Sequence, residues 1–439
     1  YLMLPTRDDL NWIRNWRRSI VRDLSRLVAI CADEHDRPPF EILMSDLVPL
    51  LDACKWHERF ARKVLRDARV GHGGLWRLGQ RHTLCRAPIG HVAIIATWNY
   101  PYQLLGIQLL QAIAAGNRVT VKPSERAGRC QQALLELARE AGLPDPRLVW
   151  TQATREAGRD LLEFGQFDHV IFTGSTAVGR TIAAILAETL TPSTLELSGS
   201  DSAIVFEDAD VKLAADSIYF ALTLNAGQSC MAPRRVIVEA GVYDRFVAAF
   251  RPKFENSSQV RLIRGTEAEH CRDLVERARS EGAQITPEVP SSSDGFSPTA
   301  VLSCPAEADI AASDHFGPAI AVIRSENRNE TIALADSSMK SLATSIYTNS
   351  LSDAEKLASQ LSAGFITIND CMLPTAHPGV SITGHGSSGW GPSRGKLGLL
   401  AMTRPRFVSH TSRKWRLPTN NPSMRAQRNI ERFVRWWYK

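Results

Sequence analysis

Short apolar segments alternate with helical segments through the middle of the chain, and this alternation limits the possible folds more than any other feature. Strands are predicted at His91–Thr97, Arg118–Lys122, Leu148–Trp150 and His169–Phe172, and helices at Leu104–Ala115 and Cys130–Ala141. The strand segments are apolar at nearly every position, as strands covered on both faces are, rather than at every second position. The sequence therefore predicts an α/β fold in which a largely parallel sheet carries helices on both faces.

A second α/β region is predicted from Leu197 to about residue 395. Its predicted strands are Ser202–Phe206, Arg235–Glu239, Ala319–Ile323, Ala343–Tyr347 and Phe365–Asn369. Its predicted helices are Val211–Thr223, Val242–Phe254, Thr266–Glu281, Arg328–Asp336 and Leu351–Leu361. The glycine- and serine-rich stretch Gly384–Gly391 is predicted to be a loop, with a low-complexity linker as the alternative. Two helical segments, over residues 8–35 and about 41–69, open the chain.

The composition is that of an ordinary globular protein, with 44% hydrophobic residues, and it excludes a disordered or fibrous chain. A length of 439 residues allows two or three domains. No apolar run reaches the roughly 18 residues of a membrane-spanning helix, and Tyr1–Asp9 lacks the basic-then-apolar pattern of a signal peptide. A cytoplasmic protein is therefore expected.

The net charge of +6 is concentrated at the C-terminus. Residues 413–439 contain eight basic residues and one acid, a charge of +7, so the rest of the chain carries 6 − 7 = −1. A nearly neutral body gives no electrostatic basis for nucleic-acid binding. On a helix, four arginines of the tail would share one face and four apolar residues another: Arg425, Arg428, Arg432 and Arg435 against Ile430, Phe433, Val434 and Trp437. Such a helix suits peripheral membrane contact, and packing on the body or on a partner subunit is an equal alternative.

The eight cysteines are spread irregularly, and no two form a C-x-x-C pair: Cys31, Cys54, Cys85, Cys130, Cys230, Cys271, Cys304 and Cys371. This spacing argues against a zinc site and a disulfide framework, so no metal is expected. Cys230 stands out because it ends the segment Asn225–Cys230, whose small residues leave a nucleophilic thiol accessible. A buried cysteine in a glycine-containing turn is the alternative.

Two further side chains are candidates to act with Cys230. Glu196 lies between two leucines at the end of an apolar stretch, where a partly desolvated carboxylate suits a base. A structural acid with a fixed partner is the alternative for Glu196. Asn99, within Trp98–Pro101, carries an amide that could donate to an oxyanion or, alternatively, cap a turn.

The segment Phe172–Gly179 joins a predicted strand to the predicted helix Arg180–Leu190. Glycines at such a turn let the backbone approach a phosphate, and the helix N-terminus offers N–H donors. The segment lacks the full G-x-G-x-x-G pattern. A simple helix cap by Thr173 or Ser175 is therefore at least as good an interpretation.

Together these segments resemble the aldehyde dehydrogenase superfamily. Five motifs occur in the family's order: Trp98–Pro101, Val121–Glu125, Phe172–Gly179, Leu195–Leu197 and Gly227–Cys230. The spacing between the acid and the thiol, 230 − 196 = 34 residues, is also similar to that of the family. Within the superfamily the chain looks most like the class 3 enzymes, which act on fatty and aromatic aldehydes.

The resemblance implies an aldehyde oxidation in two covalent steps. Cys230 would attack the aldehyde carbon, Asn99 would hold the oxyanion, and Glu196 would activate the water that hydrolyses the resulting thioester. Relatives that pass the acyl group to coenzyme A lack an acid at this position, so hydrolysis is expected and a CoA-acylating enzyme is the alternative.

The resemblance also implies a dinucleotide cofactor, NAD or NADP. Lys122 and Glu125 would contact the adenosine ribose, Ser175 the pyrophosphate, and Asp314 the nicotinamide ribose. The further residues expected at the cofactor are Trp98, Ser124, Gly174, Gly179, Leu197 and Phe316. The carboxylate of Glu125 would repel a 2′-phosphate and so favour NAD.

Three positions depart from the family pattern: Ser198 and Ser200, where the family has glycine and lysine, and Asp314, where it has glutamate. A catalytically silent homologue is the alternative that these changes motivate. The resemblance implies an NAD-binding domain of Rossmann type (1–73 and 88–196), a catalytic domain (197–395), an oligomerisation element (74–87 and 396–412) and the tail (413–439). A homodimer is expected.

Overall fold

The computed structural model describes residues 4–71, 79–144, 146–287, 295–313, 315–338, 340–412 and 423–439. They form two compact units, the larger made of Tyr1–Arg66 with Ala87–Arg404 and the smaller of Asp67–Arg86 with Pro405–Lys439. Asp314, which the sequence analysis assigns to the nicotinamide ribose, and the first ten residues of the tail lie outside the described residues.

The helices of the described chain are α1 Arg7–Arg22, α2 Leu24–His35, α3 Pro39–Ile42, α4 Val48–Val64, α5 Gln103–Ala114, α6 Gly128–Glu140, α7 Arg155–Phe164, α8 Thr176–Glu188, α9 Val211–Thr223, α10 Ala240–Glu255, α11 Gly265–Ser280, α12 Asp309–Ala312, α13 Arg328–Asp336, α14 Leu351–Ala358, α15 Gly395–Ala401 and α16 Met424–Trp437. A π-helical turn at Leu43–Leu47 and short 3₁₀ turns at Leu224–Gly227 and Leu373–Ala376 complete the helical segments.

The strands of the described chain are β1 Ala68–Val70, β2 Gln80–Pro88, β3 His91–Ile95, β4 Arg118–Lys122, β5 Leu148–Trp150, β6 His169–Gly174, β7 Ser193–Leu197, β8 Asp201–Val205, β9 Pro233–Glu239, β10 Gln284–Thr286, β11 Thr299–Leu302, β12 Ala319–Ser325, β13 Lys340–Ser341, β14 Ala343–Tyr347, β15 Phe365–Ile368, β16 Ile382–Thr383, β17 His385–Gly386, β18 Gly389–Trp390, β19 Pro392–Ser393 and β20 Thr403–Thr411.

The first sheet confirms the predicted α/β fold and has the strand order β18-β7-β6-β3-β4-β5. All neighbours except β18 and β7 run parallel. The chain passes from β3 outward through β4 to β5, then returns to the other side of β3 for β6 and β7. The strand order therefore reverses between β3 and β6, where open parallel sheets form a ligand-binding crevice.

The second sheet has the strand order β10-β11-β12-β9-β8-β14-β15, and only β10 is antiparallel to its neighbour. Five of its strands, β8, β9, β12, β14 and β15, were predicted from the sequence to within two residues at either end, whereas β10 and β11 were missed. The two missed strands have three and four residues and lie next to each other at one edge of the sheet. Two clusters of buried apolar side chains pack around this sheet.

The predicted helical character of residues 8–35 is confirmed, and two helices cover this segment. Asp23 has a non-helical backbone and lies at once at the C-terminal end of α1 and the N-terminal end of α2. The apolar faces of both helices are buried nonetheless, with Trp12, Trp16 and Leu27 at most 1% exposed. The second predicted helix, over residues 41–69, ends at Val64.

The prediction of a loop at Gly384–Gly391 is wrong, because this stretch contains β17 and β18. Strand β18 pairs with β7, so that Gly389 lies opposite Glu196. Gly389 has φ +97°, and a Cβ atom there would lie 2.0 Å from the carbonyl oxygen of Leu195. The glycine content thus permits close strand pairing here rather than a flexible linker.

The smaller unit contains a three-stranded sheet, β1-β2-β20, and the helix α16. The predicted amphipathic helix of the tail is confirmed over Met424–Trp437, and none of its side chains is buried. Among the described residues, no helix combines the length and the apolar character that crossing a bilayer requires.

Candidate active site

Cys230 follows a tight turn that the fold holds in an unusual backbone conformation. Asn225 and Ala226 have φ of 52° and 54°, in the left-handed region that residues other than glycine seldom adopt. Gly227 has φ +73°, and a Cβ atom there would lie 2.5 Å from the backbone nitrogen of Pro318. Only glycine fits so close to the backbone of Gly317 and Pro318, and this contact fixes the position of the segment that leads to Cys230.

A buried arginine is hydrogen-bonded to the backbone of this turn. Arg234 is 1% exposed and donates hydrogen bonds to the carbonyl oxygens of Gly227 and Ser229, both at 2.9 Å, and of Gly317 at 2.8 Å. Charged donors to carbonyl oxygens form strong, well-directed bonds in such an apolar setting. Arg234 is not among the residues predicted from the sequence, although an arginine at the start of an otherwise apolar strand is itself a signal of buried hydrogen bonding.

Asn99 lies against the same turn. Its side-chain nitrogen Nδ2 donates to the backbone carbonyl oxygen of Gln228 at 3.1 Å. The backbone carbonyl oxygen of Asn99 accepts from Nδ2 of Asn225 at 2.7 Å. The side chain is 3% exposed. The two motifs Trp98–Pro101 and Gly227–Cys230, 126 or more residues apart in the chain, are therefore hydrogen-bonded to each other.

Glu196 lies on β7 with its carboxylate fixed by hydroxyl groups. Thr173 donates to Oε2 at 3.1 Å, and Ser393 donates to Oε1. Glu196 is half-buried, so its carboxylate remains in contact with the cavity beside it. The sequence analysis did not find these two partners, because one comes from the neighbouring strand and the other from a segment nearly 200 residues away.

Cys230 is the only one of the eight cysteines that is not buried, and all eight are free thiols. It lies where two cavities meet. One cavity, of about 380 Å³, contains polar side chains and includes Asn99, Glu196 and Cys230 in its wall. The other, of about 490 Å³, also reaches Cys230 and is mainly apolar, with Phe40, Met44, Leu104, Phe220, Met231 and Leu373 in its wall.

Charges near the thiol of Cys230 oppose each other. Burial and, next, the negative charge of Glu196 raise the pKa of this thiol to about 12, while the guanidinium of Arg394 acts in the opposite direction. Arg394 lines the apolar cavity and donates hydrogen bonds to Thr375 and Gln103. The thiol therefore needs a base, such as a carboxylate, to become a thiolate near neutral pH.

The polar cavity lies at the carboxyl ends of β3, β6 and β7, beside the reversal of strand order. Five of the residues predicted to bind a cofactor line it: Trp98, Gly174, Ser175, Leu197 and Phe316. Trp98 and Phe316 form an edge-to-face pair with 5.6 Å between ring centroids. Lys122 ends β4, the next strand of the same sheet, Ser124 and Glu125 follow it, and all three lie outside this cavity wall. Ser198 lines the cavity, and Ser200 is buried.

The helix α8 begins at this cavity with a structural cap. Ser175 accepts a hydrogen bond from the backbone N–H of Val178 at 3.4 Å, so the capping interpretation of the sequence is confirmed. Gly179 contacts β7 closely, because a Cβ atom there would lie 2.5 Å from Cδ2 of Leu197. The first turn of a helix carries backbone N–H groups without intrahelical partners, which is why helix N-termini can bind anions.

The chain matches the aldehyde dehydrogenase family over residues 4–408. It is 31% identical over 340 residues to betaine aldehyde dehydrogenase of Vibrio vulnificus, covering 74% of this chain and 70% of that protein. It is 28% identical over 424 residues to 4,4′-diapolycopene aldehyde oxidase of a Methylomonas species, covering 94% and 79%. The solved Mycobacterium tuberculosis aldehyde dehydrogenase complexed with NAD+ has a TM-score of 0.86 at 26% identity, covering 96% and 88%. The chain belongs to the aldehyde dehydrogenase family and is an oxidoreductase that acts on aldehydes.

Proposed function

We propose that the protein oxidises an aldehyde with an apolar body to the carboxylic acid, using NAD+ or NADP+ as the hydride acceptor. The observation that carries this proposal is the position of Cys230 between an apolar and a polar cavity. A nucleophile at this junction can meet an aldehyde from one side while a cofactor occupies the other. The family is NAD(P)-dependent, which supports the choice of cofactor.

The polar cavity fits a dinucleotide by the chemistry of its wall. It lies at the reversal of strand order, as dinucleotide sites in open parallel sheets do. The first turn of α8 offers N–H groups for a pyrophosphate, and Trp98 and Phe316 offer aromatic surface beside Cys230. The bound dinucleotide would supply the acceptor for the hydride that the substrate loses.

In the first step Cys230 bonds to the carbonyl carbon of the aldehyde. The thiol proton passes to a base and from there to solvent, and the carbonyl oxygen becomes an oxyanion. Nδ2 of Asn99 and the backbone N–H of Cys230 would donate to this oxyanion, and one such donor contributes roughly 3–4 kcal/mol to transition-state stabilisation. When the carbonyl re-forms, the hydride leaves and a thioester on Cys230 remains.

In the second step water attacks the thioester carbon. Glu196 would accept a proton from this water, the carbon–sulfur bond would break, and the carboxylic acid would leave while Cys230 regains its proton. The hydroxyl groups of Thr173 and Ser393 hold the Glu196 carboxylate at the cavity wall. This fixed carboxylate is our reason to propose hydrolysis rather than transfer of the acyl group to coenzyme A.

The apolar cavity predicts how the rate depends on the substrate. We expect kcat/KM for straight-chain aldehydes to rise about fourfold per added methylene group until the cavity is filled, because each buried methylene contributes about 0.8 kcal/mol. Formation of NADH, followed by its absorbance, measures the series, and aromatic aldehydes extend it. A constant kcat/KM along the series would contradict the apolar substrate, and no reduction of NAD+ or NADP+ with any aldehyde would contradict the proposed activity.

Glu125 is predicted to set the choice between NAD and NADP. Desolvation is the largest single influence and acts to raise the pKa of Glu125, but the hydrogen bond from Lys122, 2.7 Å long, and the positive charges of Lys122 and Arg155 together lower the pKa below its ordinary value. The carboxylate is therefore charged and would repel a 2′-phosphate. We expect Glu125→Gln to raise kcat/KM for NADP+ relative to NAD+ by roughly five- to tenfold, the effect of one nearby charge partly screened by water. Exposed Glu140 on α6 provides the control, since Glu140→Gln should leave this ratio unchanged.

The remaining proposals concern the oligomeric state, the division into domains and contact with a membrane. The homodimer, the predicted domain bounds and the membrane contact of α16 stay predictions. Exposed apolar side chains on this helix, such as Trp436 at 70% exposure, support the idea that another surface covers it.

A further inference from the structure

A second group of chemically active side chains lies away from the proposed active site, where α2 meets the start of α6. We refer to Cys31, Glu34, His35 and Cys130 as the α2–α6 cluster. One side-chain atom each of Glu34, His35 and Cys130, an oxygen, a nitrogen and a sulfur, lie within 4.8 Å of one another. Both cysteines have no exposed surface, and His35 is 4% exposed. Such donors rarely gather in a protein interior unless they bond to one another or to a common partner.

The hydrogen bonding of His35 leaves a lone pair free within this cluster. Nε2 lies 2.8 Å from the carbonyl oxygen of Arg126. A carbonyl oxygen can only accept, so Nε2 carries the proton and neutral His35 has an unprotonated Nδ1. Nδ1 is buried and has no hydrogen-bond partner among the described residues. Metal-binding histidines usually have this arrangement, in which the second ring nitrogen donates to a backbone carbonyl and fixes the ring.

The two cysteines add sulfur donors on either side. Cys31 and His35 are four residues apart on α2 and therefore share a helix face. The thiol of Cys31 interacts with that of Cys130, so a second sulfur lies beside the donors contributed by Glu34, His35 and Cys130. A thiol gives up its proton when it binds a metal ion, so both sulfurs can serve as ligands.

Glu34 has a structural task that leaves part of its carboxylate available. Its two oxygens accept hydrogen bonds from the backbone N–H groups of Arg129 and Cys130, at 3.0 and 2.9 Å. These bonds cap the N-terminus of α6, because its N-cap residue Ala127 makes no side-chain hydrogen bond there. Each carboxylate oxygen keeps a further lone pair.

We propose that the α2–α6 cluster is a binding site for one zinc ion, with Cys31, His35 and Cys130 as ligands and Glu34 as the fourth. Nitrogen and sulfur donors select zinc over magnesium or calcium. Ligand atoms around tetrahedral zinc lie about 3.5 Å apart, so small side-chain rotations would close the observed spacing. The spacing of cysteines predicts no zinc site, because these ligands come from two helices and Cys130 follows His35 by 130 − 35 = 95 residues.

The site would cross-link α2 to the start of α6. Because His35 also holds the carbonyl of Arg126, a bound ion would stabilise the segment next to Glu125. Binding to the folded chain alone raises the unfolding temperature as the metal concentration exceeds Kd. The role proposed for this ion is structural and does not depend on the proposed oxidation.

Cobalt(II) titration of the reduced full-length chain tests the proposal. We expect one equivalent to give a thiolate-to-cobalt charge-transfer band and the visible bands of a tetrahedral site, both removed by one equivalent of zinc. The titration is repeated with Cys230→Ser, which removes the one cysteine that is not buried, and the bands should persist. His35→Gln keeps a donor for Arg126 but loses Nδ1, so metal affinity should fall at least about tenfold. Cys130→Ser should weaken binding similarly.

A buried thiol elsewhere gives the matched control. Cys54 on α4 is fully buried, and desolvation raises its pKa, so Cys54→Ser should leave the cobalt bands unchanged. If Cys130→Ser does not fold, the zinc-dependent rise in Tm of the wild-type chain and its loss in His35→Gln decide the question. The proposal is overturned if the bands are absent from Cys230→Ser, or if His35→Gln binds cobalt as tightly as the wild-type chain.

Discussion

Cys230→Ala is expected to lower kcat for aldehyde oxidation by about 10⁴- to 10⁶-fold, the range seen when a covalent nucleophile is removed from an enzyme. Alanine leaves the turn at Asn225–Gly227 and the contacts of Arg234 in place, because neither involves the sulfur. The change therefore removes the bond-forming atom without removing the site. NADH formation at saturating aldehyde measures the loss, and cofactor binding, followed by quenching of protein fluorescence, should persist.

The control for this experiment is another cysteine of the same unit. Cys304 is 3% exposed and lies in an apolar cluster beside the second sheet, so Cys304→Ala should change kcat little while testing the effect of losing a buried thiol. Turnover by Cys230→Ala within tenfold of the wild-type value would exclude Cys230 as the nucleophile.

Glu196→Gln is expected to separate the two chemical steps. The amide keeps the size of the side chain but cannot accept a proton from water, so thioester hydrolysis should slow by about 10²- to 10⁴-fold, the usual contribution of a general base. Hydride transfer precedes the step in which Glu196 activates water, so one equivalent of NADH per active site should appear before turnover stops. Mass spectrometry of the intact chain should then find the acyl group on Cys230.

The same variant distinguishes hydrolysis from acyl transfer to coenzyme A. Addition of coenzyme A to the wild-type enzyme should give no acyl-CoA, and its appearance would favour the CoA-acylating alternative. Exposed Glu188 at the end of α8 supplies the matched control, because Glu188→Gln removes an acid outside both cavities. Steady-state turnover by Glu196→Gln equal to that of Glu188→Gln would exclude Glu196 as the base.

The sequence predicted the helices and strands that are stabilised by residues close together in the chain. The helix Val211–Thr223 was predicted residue for residue, because Asp210 caps it and its apolar side chains recur with helical period. The strands Arg118–Lys122 and Leu148–Trp150 were predicted equally well from their continuous apolar character. Strand β18 was missed, because only its pairing with β7 makes a strand of glycine-rich residues.

The residues of the candidate site also fall into two groups, those that could be named from the sequence and those that could not. Its candidate reactive groups, Cys230, Glu196 and Asn99, could be proposed from the sequence, because a thiol, a carboxylate and an amide in such segments are recognisable as motifs. The residues that position these groups could not be named from the sequence. Arg234 donates to three backbone carbonyl oxygens, and Ser393 reaches Glu196 from a distant segment. A backbone contact or a single hydroxyl leaves no pattern in the sequence.

The sequence by itself determined the class of fold and the order of most strands and helices along the chain, and it named the candidate reactive groups. Only the tertiary structure decided that Cys230 lies between an apolar and a polar cavity, and that Glu34, His35 and Cys130 meet between two helices. The physical reason is that hydrophobic periodicity and turn chemistry act over a few neighbouring residues. Cavities and clusters of donors arise instead from packing between segments that are a hundred or more residues apart.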